Sequence, residues 1–164
     1  SISNVQIVQG QINFTLTITS VFQFDVTGSK EQNYQPNKTS IPDQNFEQAL
    51  IDSGFDDTLD GYVDDAIIQT VTSLDLSNRQ ISNLSGLEEF VILTDLNLSG
   101  NTVSSVLLNN FNQLTSLDLS NTGLTNLDLS QNNNLLSLVL TGNPNLSCVK
   151  VSNQIYQQIP TGWT

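Results

Sequence analysis

VTSLDLSNRQI begins at Val71, LTDLNLSGNTV at Leu93, LTSLDLSNTGL at Leu114 and LLSLVLTGNPN at Leu135, so one frame returns after 22, 21 and 21 residues. Within each stretch the apolar residues follow L-x-x-L-x-L-x-x-N-x-L. The central L-x-L fits a short strand whose alternate side chains point the same way. Leu74/Leu76, Leu96/Leu98, Leu117/Leu119 and Leu138/Leu140 are therefore expected to form inward columns. One such coil cannot bury its own stripe, so successive coils must stack and share a core. A fixed period of this length predicts a solenoid.

The frame is the leucine-rich repeat signature, at the short end of its period range. The fold class it predicts is an α/β leucine-rich repeat solenoid, mostly β with little helix. About four repeats are expected, with N-terminal β-strands and a capping helix before them and a C-terminal cap after. The N position ordinarily puts an amide inside the turn, where it satisfies buried backbone groups. Here it reads Arg79, Asn101, Thr122 and Asn143, which predicts an interrupted amide ladder and an Arg79 that is not fully buried. On the far side of the coils, Val106-x-Leu108 and Leu127-x-Leu129 suggest a second short extended run. Leu84, Leu87 and Phe90 have three-residue spacing instead, which suggests a helical turn.

Outward from the repeats, Ile41 to Gly54 reads as a helix with Asp43 as N-cap, Phe46, Leu50 and Ile51 on one face and Gly54 at its end. Ser1 to Thr27 alternates apolar and polar residues, as in Val5/Ile7, Ile12/Phe14/Leu16/Ile18 and Phe22/Phe24/Val26, which predicts strands parted near Gly10 and Ser20. Lys30 to Ser40 reads as a linker. The organisation expected is a strand segment and linker over 1–35, a cap with helix and acidic loop over 36–70, repeats over 71–145 and a cap over 146–164. Val149, Val151, Ile155 and Trp163 are expected to close the core, with Cys148 as a small buried apolar residue.

Composition narrows the function. Four basic residues (Lys30, Lys38, Arg79, Lys150) face sixteen acidic ones, for a net charge of −12. Nucleic-acid binding needs clustered cations that displace phosphate counterions, and this field would repel a polyanion. With no histidine, Ser-His, Cys-His and His-metal arrangements are excluded. The one dense group of carboxylates lies in a loop with no groove for a sugar chain, which argues against a glycosidase. A single cysteine forbids an intrachain disulfide, and no apolar run is long enough for a membrane span. The chain lacks methionine even at position 1, which suggests a processed or excised fragment, with any signal peptide outside it. No cofactor is expected, calcium at the acidic loop excepted.

Eight of the sixteen acidic residues fall between Asp43 and Asp65 without one Lys or Arg among them. Asp56, Thr58, Asp60, the Tyr62 carbonyl and Asp64 stand where positions one, three, five, seven and nine of a calcium loop would, with Gly61 at the turn. Position twelve is Ile67, where such loops carry a bidentate Glu. A solvated acidic loop is the plainer reading.

The concave face is the default binding surface of a solenoid. Its outward columns should be Ser73, Asp95, Ser116, Ser137, then Asp75, Asn97, Asp118, Val139, then Ser77, Ser99, Ser120, Thr141. All are small and none is aromatic. Sugar sites and protein hot spots both favour aromatic anchors, so the face fits a weak hydrogen-bonded contact or a solvated sheet.

The stretches IPDQNFEQALIDSGFDDTLDGYV, VTSLDLS with ISNLSGLEEF, LTNLDLSQNNNL and NLSCVKV resemble secreted leucine-rich repeat proteins of Bacteroidetes, flavobacterial type, over about Ile41 to Thr164. The resemblance implies export or cell-surface attachment and a binding role, and it supplies no catalytic residue. The expected function is a non-catalytic extracellular binding module with a protein partner at the concave face. Polysaccharide binding and a structural spacer in a larger surface protein are the alternatives.

Overall fold

A computed structural model describes the backbone of Ile2–Val8 and Gln11–Leu16, and residues 37–157 and 159–164. The chain forms two compact units, Ser1–Pro36 and Asn37–Thr164. In the first, β1 (Ile2–Val8) pairs antiparallel with β2 (Gln11–Leu16), with Val5 opposite Phe14 and Ile7 opposite Ile12. These are two of the strands that the alternation predicts. The run Phe22/Phe24/Val26 lies outside the described residues.

The second unit opens with a cap. β3 (Lys38–Ser40) pairs antiparallel with β4 (Tyr62–Asp64), and between them runs α1 (Gln44–Asp52). Asp43 is the N-cap of α1, and its Oδ1 accepts from the amides of Asn45 at 3.0 Å and Phe46 at 3.2 Å. Two of the four amides that a helix start leaves unpaired are satisfied in this way. The helix is shorter than the sequence suggests, because Ile41 and Pro42 precede the cap. Phe46, Ala49 and Leu50 form its buried face, while Ile51 is only half-buried. Gly54, at φ 77°, ends the turn where a side chain would be strained. The short α2 (Asp65–Ile68) follows β4 directly, capped by Asp64.

The second oxygen of Asp43 ties this cap to the first repeat. Its Oδ2 accepts from the Ser82 amide at 2.9 Å, the Asn83 amide at 2.9 Å and the Ser82 hydroxyl at 3.2 Å. Burial raises the carboxyl pKa, but the backbone amides of Ser82, Asn83, Phe46 and Asn45 outweigh it, and the net shift is downward from 3.8. A depressed native pKa stabilises the fold fully above the unfolded value, and that stability disappears as pH falls through the native one. Asp43→Ala should therefore cost about 1–2 kcal/mol at neutral pH in urea titrations. The gap between variant and parent should narrow below pH 3.8. A gap that stays constant with pH would show that the charge plays no part.

The repeats lay down β5 (Ser73–Asp75), β6 (Asp95–Asn97), β7 (Ser116–Asp118), β8 (Asn126–Leu129), β9 (Ser137–Val139) and β10 (Cys148–Val151). The cap at the far end adds α3 (Asn153–Gln157) and β11 (Gly162–Trp163). The main sheet is parallel, in the order β11-β9-β7-β6-β5. Leu74, Leu96, Leu117 and Leu138 stand side by side along it and are buried, as are Leu76, Leu98 and Leu119, whereas Leu140 is partly buried. Phe90 and Phe111 fill the core from the other side of the coil, behind a 3-10 turn at Leu87–Glu89 where the three-residue spacing places it. The structure is a mostly-β leucine-rich repeat solenoid of about four turns with few helices.

Two expectations are corrected. Val106 and Leu108 form no strand, although Leu108 is buried; the second sheet consists of β8 and β10 alone. Cys148 is exposed. It pairs with exposed Asn126, while Val149 and Val151 stand beside buried Leu127 and Leu129. Alternation along a strand turns Cys148 outward once its neighbour Val149 faces the core.

Candidate functional site

The parallel register brings the expected concave columns together. Ser73, Asp95, Ser116 and Ser137 are paired across β5, β6, β7 and β9, and so are Asp75, Asn97, Asp118 and Val139. Together they line a shallow depression of about 340 Å³. No aromatic or basic side chain lines it. Beyond β9, Gly162 of β11 stands beside Ser137, and Trp163 beside Leu138 continues the inward column. A Cβ at Gly162 would lie 2.8 Å from the Leu136 carbonyl, which accounts for the glycine.

The second column has a structural task that its spacing does not announce. Asp75 Oδ1 accepts from the Ser77 amide at 2.9 Å, Asn97 Oδ1 from the Ser99 amide at 3.0 Å and Asp118 Oδ1 from the Ser120 amide at 2.8 Å. Each is an Asx turn that lets the chain leave the strand. Asn97 makes the same bond without a charge, so the turn does not need the carboxylate. Val139 has no acceptor, and the column ends there.

Behind the face lies the amide ladder. Asn101 Nδ2 donates to the Leu76 and Leu98 carbonyls at 2.8 Å each, and its Oδ1 accepts from the amides of Arg79 and Ile81. Asn143 does the same two coils further on, donating to Leu119 and Leu140. The Thr122 hydroxyl bonds Leu119 of its own coil and Asn143 Oδ1 of the next but makes no bond to the coil before it, so the ladder is broken where the sequence breaks it. Arg79 is not fully buried, and its guanidinium pairs with Asp52.

The acidic loop is organised from beneath. Glu47 on α1, 1% exposed, accepts from the Gly61 and Tyr62 amides through Oε1. Asp56 Oδ1 accepts from the Asp57 amide, Asp60 accepts from the Tyr62 amide and pairs with Lys38 at 3.3 Å, and Asp64 caps α2. Tyr62 is held in β4 opposite Ser40, Thr58 stays exposed, and Ile67 is 40% exposed at position twelve. Among the described residues no three His, Cys, Asp or Glu side chains come together as a metal-holding group.

Glu47 and Asn132 are the polar groups that the sequence pattern did not single out. Asn132, 1% exposed, donates through Nδ2 to the Leu108 carbonyl at 3.0 Å and the Phe111 carbonyl at 3.1 Å. A signal for it exists. Phe90, Phe111 and Asn132 are spaced by 21 residues, so an amide falls in a column of buried rings.

No protein-family model matches the chain, and no curated protein matches its sequence. Among solved structures it is similar to the functional domain of InlJ from Listeria monocytogenes, a domain that includes a cysteine ladder. The identity is 25% and the TM-score 0.55, over 68% of this chain and 28% of that one. The internalin inlF of Listeria monocytogenes is similar at 17% identity and TM-score 0.52, over 73% of this chain and 47% of that one. The chain thus spans less than half the length of either. With one exposed cysteine it has no cysteine ladder, and its interior turns are held by Asn101, Thr122 and Asn143. In architecture the chain is an internalin-like leucine-rich repeat solenoid.

Proposed function

We propose that this chain is a non-catalytic extracellular binding module whose concave face engages a protein partner. The observation that carries the reading is the paired, outward-facing surface of β5, β6, β7 and β9. It is built of small side chains with Asp75, Asp95 and Asp118 and no basic residue. A shallow acidic trough with no anchors of its own suits a partner that supplies basic and aromatic ones. Solenoids use their extended concave surface in this way. A polysaccharide would find no ring to stack on along this face. Placement outside the cell rests on the sequence resemblance to secreted Bacteroidetes proteins and on the similarity to the listerial domains.

The test removes charge and keeps the Asx turns. Asp75→Asn, Asp95→Asn and Asp118→Asn combined should leave the melting temperature close to the parent's, because asparagine already serves at position 97. Affinity for a partner captured by photo-cross-linking from the concave face should fall about tenfold or more at low salt. The difference should shrink as salt screens the field. Undiminished binding in the triple variant would move the contact off this face.

A further inference from the structure

We infer that the first two coils carry a second docking groove, which takes an extended segment of a partner protein through one large apolar side chain and a basic residue near it. The inference is separate from the concave-face reading and uses none of its residues. Residues 83–88 and 105–110 lie outside the main sheet, and a groove of about 470 Å³ runs between them. Leu84, Leu87, Val106 and Leu107 supply its apolar wall. Leu107 is 79% exposed. One coil on, the same place in the frame holds Asp128, and Lys150 stands beside that residue. A single exposed leucine is ordinary on a protein surface. This one stands where the later coils have charge, and it borders a cavity lined by three further aliphatic side chains. Such a concave apolar wall with a few polar groups is the setting in which a ligand side chain is buried.

A second hollow adjoins the groove. It shares Ser85 and Glu88 with it, and Asp65, Glu89 and Lys38 complete its charged lining. Lys38 is taken up by Asp60 at 3.3 Å, whereas Glu88 and Glu89 have no cation partner among the described residues. Alternate side chains of an extended segment leave one face about 7 Å apart. One segment therefore spans both hollows, with its apolar side chain in the groove and a lysine or arginine against Glu88 and Glu89. Charge decides among the occupants. A chain of net charge −12 with no basic residue along the groove repels an anionic lipid surface. A second copy would bring the same excess of carboxylates, and its Lys38, Arg79 and Lys150 already pair with Asp60, Asp52 and Asp128. A basic segment of another protein satisfies both hollows.

The experiment follows the methyl signals of Leu84, Leu87, Val106 and Leu107 by NMR while the full chain is titrated with three short synthetic peptides. The first carries a tryptophan with lysine two positions on and arginine after it. The second has alanine for the tryptophan, and the third has glutamate for both basic residues. We expect saturable shifts at these methyls with the first peptide, at a Kd of about 1 mM or below, and affinities weaker by about tenfold or more for the other two. Leu107→Ser alters an exposed position, so its melting temperature should match the parent's while affinity for the first peptide falls about tenfold or more. Glu88→Gln with Glu89→Gln should weaken the same peptide at low salt, and the difference should shrink as salt screens the charges. Glutamine at position 88 keeps an oxygen for the Gly86 amide, which Glu88 Oε2 meets at 2.9 Å. The proposal is overturned if the first peptide gives no saturable shift at about 10 mM. Equal affinity for the glutamate peptide, shifts that survive Leu107→Ser, or shifts confined to the concave columns would overturn it as well. Co-sedimentation with neutral phosphatidylcholine vesicles that is lost in Leu107→Ser would overturn it in favour of a lipid surface.

Discussion

Asn143→Ala should destabilise the solenoid by about 3–5 kcal/mol, because each buried group that loses its partner costs about 1–3 kcal/mol. Six groups depend on this one amide. Nδ2 donates to the Leu119 carbonyl at 2.7 Å and the Leu140 carbonyl at 2.9 Å. Oδ1 accepts from the amides of Thr122, Gly123 and Leu124 and from the Thr122 hydroxyl. Water can reach some of them, since Asn143 is 9% exposed, and the estimate is held below the simple sum for that reason. Urea denaturation of the two proteins measures the difference. Asn143→Asp separates the halves of the amide: it keeps the acceptor for the Thr122 turn and sets a carboxylate against the Leu119 and Leu140 carbonyls. If alanine costs less than about 1 kcal/mol, the net contribution of an ordinary single hydrogen bond, the ladder is not what holds the last coil to its neighbour.

Asn143 was readable from the repeat frame because the frame is a set of inward positions, and inward positions are where physics constrains residue type most. The leucine columns follow from alternation, and Thr122 for Asn marks the missing rung of the ladder without any coordinates. Asp43 was readable as a cap from its position before an apolar helical face. Its second role, clamping Ser82 and Asn83, was not, because nothing in the spacing brings residue 43 next to residue 82. The same limit hides Glu47, whose partners Gly61 and Tyr62 lie across a loop.

At the far end, β11 has two residues and sits outside the repeat frame, so neither period nor propensity marks it. It forms because β9 offers an unpaired edge and Trp163 offers an inward ring. On the concave face the columns were legible and their duties were not. Asp75 and Asp118 looked like a binding surface alone, yet each also closes a turn. The partial calcium motif has Ile67 where a bidentate Glu would stand, and within it Asp60 meets Lys38 while Asp64 caps α2.

Phe46→Ala should cost about 3–5 kcal/mol, the usual range for truncating a buried phenylalanine. Phe46 is fully buried, and its ring lies 6.3 Å from that of Phe90, tilted by 34°. Phe90 belongs to the first coil, so this contact lets the cap cover an otherwise open end of the core. In a solenoid each unit is stabilised mainly by its neighbours, and a weakened cap loosens the nearest coil before the distant ones. Hydrogen exchange should therefore separate Phe46→Ala from Asn143→Ala. In the cap variant protection should fall first in α1, at β4 and along β5, with β9 least affected; in the ladder variant the order should reverse, starting at Thr122–Leu124 and β9. A uniform loss of protection in both would mean that cap and repeats unfold as one cooperative unit. In that case the concave face would exist only when the cap is in place, and binding through it would be as sensitive to Phe46 as to Asp95.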